Sequence, residues 1–128
     1  MNLFVKALKR FDDFFCAEGV DASTIKDAEN KLGVHFSEEY KTYLAECGSA
    51  SADGHEFTGI IDSPRLNVVD VTKAARKRFS SVPADLYVVE EVMIDGITIW
   101  QSENGVVYQS VDGQELKKIC KSLLEYLS

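Results

Sequence analysis

The densest group of chemically versatile side chains in this sequence comprises Asp53, His55 and Glu56. A histidine beside carboxylates can act as a general acid or base. A hydrolytic constellation also needs a nucleophile, and no serine or cysteine stands in a glycine-flanked turn, nor is a second histidine suitably spaced. The surrounding segment, 49–56 (SASADGHE), is small, polar and turn-forming. It therefore predicts a solvated loop between helical and sheet regions.

Metal and thiol chemistry have equally little support. Cys16, Cys47 and Cys120 are odd in number and widely spaced, which favours buried reduced thiols over a disulfide. There is no Cys-x-x-Cys pair, only two histidines occur, and no Gly-rich phosphate loop is present. The sequence therefore predicts a protein that is not an enzyme and uses no metal or cofactor.

The charge balance indicates which partners are suitable. Twenty-one acids against 14 bases give a net charge of -7, a field that attracts basic proteins and repels nucleic acids and anionic membranes. One predicted helix carries four basic residues: Lys73, Arg76, Lys77 and Arg78. They could bind nucleic acid, but a helix face exposed to solvent is the favoured interpretation. Because no apolar run reaches about 18 residues, a cytoplasmic protein with no membrane contact is expected.

Two short helices joined by a tight corner organise the chain. Ile25, Ala28 and Leu32 have helical spacing, and Gly33 stands where a left-handed residue commonly ends a helix. Ser37 is suited to cap a second helix, which Gly48 is expected to stop. An amphipathic first helix is predicted from the apolar residues Leu3, Phe4, Ala7, Leu8, Phe11, Phe14 and Phe15.

The second half of the chain has the periodicity of a sheet. Strands are predicted near 57–62, 66–71, 86–94, 97–101 and 106–111, with turns at Asp95-Gly96 and Asn104-Gly105. A helix beginning near Thr72 precedes the last three strands, and a final helix is predicted after Asp112, with Glu115 completing a capping box. These elements fit one domain, residues 1–128, of α+β class: a largely antiparallel sheet of about five strands with N- and C-terminal helices packed on one face.

Several motifs resemble one known family. The pattern I…E..LG..F…YK.YL…G runs from Ile25 to Gly48, and the segments 56–60, 68–72 and 104–108 continue it in order. The sequence in this respect resembles the SUKH superfamily, which includes fungal cell-wall-assembly regulators of the Smi/Knr type and many bacterial immunity proteins. The resemblance covers nearly the whole chain and agrees with the α+β prediction.

The resemblance implies two functions. One is an immunity protein, monomeric or weakly dimeric, that binds and neutralises a cognate polymorphic or contact-dependent toxin domain, suited by charge to a basic nuclease. The other is an intracellular scaffold or regulator.

For a toxin interface, alternation in strand 97–102 places Trp100 opposite Ile97 and Ile99. Trp100 is then either an exposed anchor or part of a second small core covered by a helix or loop. The acids that could surround an exposed Trp100 are Glu90, Glu91, Asp95 and Glu103. A second candidate surface lies around Asp53, Glu56 and Asp62.

Overall fold

A computed structural model describes residues 2–92, 96–112 and 115–128, and these form five helices and seven strands. The helices are α1 (Leu3–Leu8), α2 (Ala22–Leu32), α3 (Glu38–Glu46), α4 (Val68–Arg78) and α5 (Leu123–Leu127). The strands are β1 (Phe15–Glu18), β2 (Cys47–Ala52), β3 (His55–Phe57), β4 (Tyr87–Val92), β5 (Ile97–Gln101), β6 (Val107–Ser110) and β7 (Lys117–Cys120). The strands make one antiparallel sheet in sequence order, with β1 and β7 at its edges. The α+β class is confirmed, with seven strands instead of about five.

The predicted corner between α2 and α3 is confirmed. Gly33 follows α2 with φ 68°, in the left-handed region. The Ser37 side chain accepts a hydrogen bond from the Tyr40 amide and caps α3. Between the helices, the buried Glu29 carboxylate accepts a hydrogen bond of 2.7 Å from the Phe36 amide. The corner thus satisfies backbone amides that burial would otherwise leave unpaired.

The first helix is shorter than its apolar spacing predicts. It ends at Leu8, and the chain turns before Phe15 begins edge strand β1. Phe4 is buried and Phe11 and Phe14 pack partly against the core, whereas Phe15 is 63% exposed. Most of the apolar residues at steps of three and four therefore face the core, but only the first of them belong to a helix.

The segment predicted as a loop is a hairpin of β2 and β3. Helix α3 ends at Glu46, so Gly48 lies inside β2 instead of stopping the helix. A Cβ built on Gly59 would lie 1.6 Å from the backbone oxygen of Gly48, so the two glycines allow their backbones to touch. The small residues of β2 permit close backbone packing. Because β2 has no β-branched residues, its composition did not predict a strand.

Two further boundaries were predicted wrongly. The extended segment at 66–71 is instead the start of α4, capped by Asn67, and Thr72 lies inside the helix. The final helix is shorter than predicted, because residues 117–120 pair with β6 as strand β7. Helix α5 starts after Ser122, and Asp112 pairs with Arg78 instead of capping it. Gly113 and Gln114 lie outside the described residues, as do Met93 and Ile94 of the predicted strand 86–94 and Asp95 of the predicted Asp95-Gly96 turn.

Helices cover both faces of the sheet, whereas the sequence predicted helices on one face. Tyr87, Val89 and Ile99 point to the main core with α1, α2, α3 and α5. Val88 and Trp100 point the other way, into a second core with the α4 residues Val71 and Ala75. The opposite orientation of neighbouring residues follows from strand alternation. Helix α4 crosses the face that contains Trp100, so the covered arrangement is the one of the two alternatives that the structure has.

Candidate functional site

The three residues with acid–base potential lie on the β2–β3 hairpin but face different partners. Asp53 has φ 52°, and its amide donates a 2.9 Å hydrogen bond to the Asp13 carboxylate. Glu56 forms a two-pronged ion pair with Arg65 at 2.9 and 3.1 Å, which lowers the pKa of the Glu56 carboxyl. His55 turns instead to Glu90, at 3.0 Å. The hairpin therefore does not assemble these groups into one catalytic constellation.

Glu90 is the centre of a buried polar cluster that the sequence did not reveal. The residue is 4% exposed, and its carboxylate contacts His55, the Glu56 amide at 3.1 Å and the Tyr126 hydroxyl at 2.5 Å. Burial, followed by the hydrogen bond and charge of Glu90, raises the pKa of Tyr126, so the phenol stays a donor. None of five cavities on the described surface is lined by His55, Glu90 or Tyr126. The cluster joins β3, β4 and α5.

Trp100 is fully buried and is not available as a surface anchor in this structure. Its ring packs in the second core beneath α4, beside Val88, and its Nε1 donates a 2.9 Å hydrogen bond to Ser110 Oγ. The covered second core, one of the two alternatives left open by the sequence, is the arrangement observed. Strand alternation identified the face of Trp100 but carried no information about what covers that face.

The candidate acids do not form a single rim. Glu91 lines a cleft of about 10 Å³ with Glu56 and Arg65. Tyr87 pairs with Gln101, and Glu91 lies four residues further along β4, or about 13 Å from that pair. Glu103 follows Gln101 and is thus at the opposite end of the strands. Glu91 and Glu103 thus lie in two separate acidic regions and do not form the rim that was considered for an exposed Trp100.

Other acids of the candidate set have distinct environments. Asp62 is exposed in the bend after β3, and Glu103 is exposed in the turn between β5 and β6. Glu90 is internal, and Asp95 lies outside the described residues. The exposed members are therefore Asp53, Glu56, Asp62 and Glu103, with Glu91 half-buried.

Glu103 borders the largest of the five cavities, about 400 Å³ and open to solvent. Its lining comes from the loop before β4, the β5–β6 turn, β6 and the segment before β7: Pro83, Asp85, Leu86, Ser102, Glu103, Asn104, Tyr108 and Leu116. We call this the Tyr108 cavity. The Asn104-Gly105 turn was predicted, but Asp85, Tyr108 and Leu116 were not connected with it, because they meet only through tertiary packing.

The three cysteines have no disulfide partner in the described structure. Burial, reinforced by the neighbouring Cys16 thiol, raises the pKa of Cys47 to about 12, and burial also raises the pKa of Cys120. Nucleophilic thiolates are therefore disfavoured at both positions. Among the residues described, no three histidine, cysteine, aspartate or glutamate side chains are arranged to hold a metal ion. No helix in the same part of the chain is long and apolar enough to cross a membrane.

Comparison with known families gives a match over the full sequence. The family model SUKH_5, described as SMI1-KNR4 cell-wall, matches residues 1–128. A search of curated proteins gave no match. Proteins of the matched family are generally non-enzymatic. The whole chain therefore belongs to the SUKH superfamily, in its SMI1-KNR4 family.

Proposed function

We propose that this protein is an immunity protein that binds a cognate bacterial toxin domain and blocks it without catalysis. The observation that carries the proposal is membership of the SUKH superfamily across the whole chain. The resemblance to this superfamily implies an immunity function, because many bacterial immunity proteins resemble it in the same way. The toxin would belong to a polymorphic or contact-dependent system, and the complex would form in the cytoplasm of the producing cell.

The charge of the chain favours a basic toxin. The net charge is -7, and several candidate acids are at the surface. Enzymes that cut nucleic acids bind a polyanion and therefore carry basic clefts. An acidic inhibitor is attracted to such a cleft at long range and can occlude it. A nuclease-type toxin is the partner that this balance suits best.

The exposed acids, and not Trp100 or Glu90, are the suitable contact residues. Trp100 and Glu90 are buried and hold the sheet to α4 and α5 respectively. Asp53, Glu56 and Asp62 are exposed, but Arg65 already pairs with Glu56. Glu103, at the other end of the strands, borders a cavity large enough to receive a partner side chain. We therefore place the main contact at Glu103.

The alternative is an intracellular scaffold or regulator of the Smi/Knr type. The observation favouring it is the description of the matched family, which names the cell wall. Such a role also relies on protein binding, so the two functions differ in the partner and not in the chemistry of the chain.

Co-expression with the toxin domain encoded beside this gene tests the proposal. The toxin domain should stop growth alone, and this protein should restore growth and co-purify with it in equal amounts. An unrelated immunity protein of similar size and charge serves as control, because it should do neither. The proposal fails if the adjacent gene encodes no toxin domain, or if growth stays arrested while both proteins are present and folded.

A further inference from the structure

The Tyr108 cavity has a chemical character that the other surface cavities lack. Its lining contains two carboxylates, those of Asp85 and Glu103, and no basic residue. The four other cavities compared with it each include at least one basic residue: Lys6 and Lys9, Arg10, Lys31, and Arg65 respectively. A cavity whose charged lining residues are both acidic favours a cation.

The two carboxylates are available for a ligand. In the described part of the chain, neither Asp85 nor Glu103 forms an ion pair within 4.0 Å or a side-chain hydrogen bond. Arg76 lies near this loop, but its Nη2 donates a 2.8 Å hydrogen bond to the carbonyl oxygen of Ala84. By contrast, Glu56 in the other acidic region is already paired with Arg65. Binding of a cation at Asp85 and Glu103 breaks no ion pair of the free protein.

The walls of the cavity suit a long side chain. Pro83, Leu86 and Leu116 are apolar, and Tyr108 adds an aromatic ring whose hydroxyl has no hydrogen-bond partner among the residues described. Lysine and arginine bury their methylene stems on apolar surface and keep the charged end in a polar environment. An aromatic ring also attracts a cation held over its face.

The cavity is held in shape by its backbone. In the β5–β6 turn the Ser102 amide donates to the Val106 carbonyl at 3.0 Å, and Gly105 donates to Ser102 at 2.9 Å. In the facing loop, the Leu86 amide donates to the Pro83 carbonyl at 3.2 Å. Preformed walls reduce the entropy lost on binding.

We propose that the Tyr108 cavity receives a lysine or arginine side chain that projects from a protein partner. Asp85 and Glu103 contact the charged end, and Tyr108 and Leu116 contact the stem. This inference rests on the proposed function in taking the partner to be a basic toxin domain. It adds the type of residue that the toxin presents and the place where that residue is held.

A titration of the full-length protein with short capped peptides tests the cavity without the toxin. The probes are acetyl-Gly-Arg-Gly-amide, the lysine peptide, and the peptide with citrulline, the uncharged isostere of arginine. Amide resonances of Leu86, Ser102 and Gly105 should shift saturably with the charged peptides, with a dissociation constant in the millimolar range, and not with citrulline. The charged peptide with the lower dissociation constant identifies the preferred side chain, arginine or lysine.

Two variants locate the site. Asp85→Asn with Glu103→Gln should weaken peptide binding by about fivefold. The matched control, Asp12→Asn with Glu46→Gln, removes one exposed aspartate and one exposed glutamate elsewhere and should leave binding unchanged. Equal fluorescence of the buried Trp100 in all variants would verify that they are folded. Binding that is unaffected by the Asp85/Glu103 change, or equal for arginine and citrulline, would overturn the inference.

The toxin domain then separates this inference from the proposed function. If the parent protein binds the toxin and the Asp85/Glu103 variant binds it equally well, the immunity function stands and the cavity is not the contact. If the parent fails to bind the toxin while the charged peptides still bind in the cavity, the immunity function fails and the cation site stands.

Discussion

The Tyr126 hydroxyl donates a hydrogen bond to the buried carboxylate of Glu90, and this contact joins the last helix to the middle of the sheet. Tyr126 also packs edge-on against His55 and Phe57, on the neighbouring strand β3. One polar contact and two aromatic contacts thus fix α5 over the centre of the sheet.

Removing the Tyr126 hydroxyl should destabilise the protein measurably. Tyr126→Phe keeps the ring contacts but deletes a hydrogen bond to a buried carboxylate, and we expect it to lower the free energy of unfolding by about 1.5–3 kcal/mol. Tyr108→Phe is the matched control, because the Tyr108 hydroxyl has no partner in the described structure, and its effect should stay within about 0.5 kcal/mol. Urea unfolding measures both, and equal effects would show that the Glu90 contact adds nothing.

Glu39 makes a second connection to the same helix. Its carboxylate accepts hydrogen bonds from the amides of Leu123 and Leu124, at 2.7 and 3.1 Å. Glu39→Ala should therefore cost about 1–3 kcal/mol of stability and speed hydrogen exchange at those two amides. Glu38→Ala, one residue earlier, removes only a surface pair with Lys41 and should cost less than about 1 kcal/mol. Unchanged exchange at Leu123 and Leu124 in Glu39→Ala would contradict this role.

The left-handed backbone at Gly33 makes a side chain costly there. A Cβ at this position would meet nothing within 4 Å, so strain in φ, and not a clash, is the expected cause. Gly33→Val should lower the free energy of unfolding by about 1–3 kcal/mol. Gly33→Asn tests the reason, because asparagine tolerates the left-handed region and should cost less. Equal melting temperatures for the valine variant and the parent would mean that the corner does not depend on this conformation.

The Glu56–Arg65 pair predicts a small dependence of stability on acid. The ion pair lowers the pKa of Glu56 below its ordinary value of 4.5, so its contribution is present above that value and is lost as the pH falls through the lowered one. Both side chains are largely exposed, so solvent screening keeps the effect small. Arg65→Gln should make stability less sensitive to pH below about 4.5, as measured by urea unfolding between pH 2.5 and 7. An identical pH profile in the variant and the parent would exclude a contribution from this pair.

Local signals predicted some elements well. The corner at Gly33 and the cap at Ser37 depend on residues within one helical turn, and the structure has both. The alternation in 97–101 and the Asn104-Gly105 turn likewise identified β5 and its connection to β6. In these segments, neighbouring residues in the sequence decide the structure.

The remaining elements depend on contacts between distant segments. Residues 117–120 continue a helical spacing of apolar side chains, yet they pair with β6, and the small residues of β2 pair with β1 and β3. Helix α4 covers Trp100 from about 25 positions away in the sequence. Local periodicity cannot predict a contact over that separation. The Tyr108 cavity has the same origin, because its walls come from four separate segments.

The most direct test of the immunity function is inhibition of the purified toxin domain as this protein is titrated into it. We expect toxin activity to fall to background at one equivalent, through a one-to-one complex whose association slows as salt is raised. The slowing follows from screening of the acidic surface. Full toxin activity in the presence of a molar excess of folded protein would contradict the account.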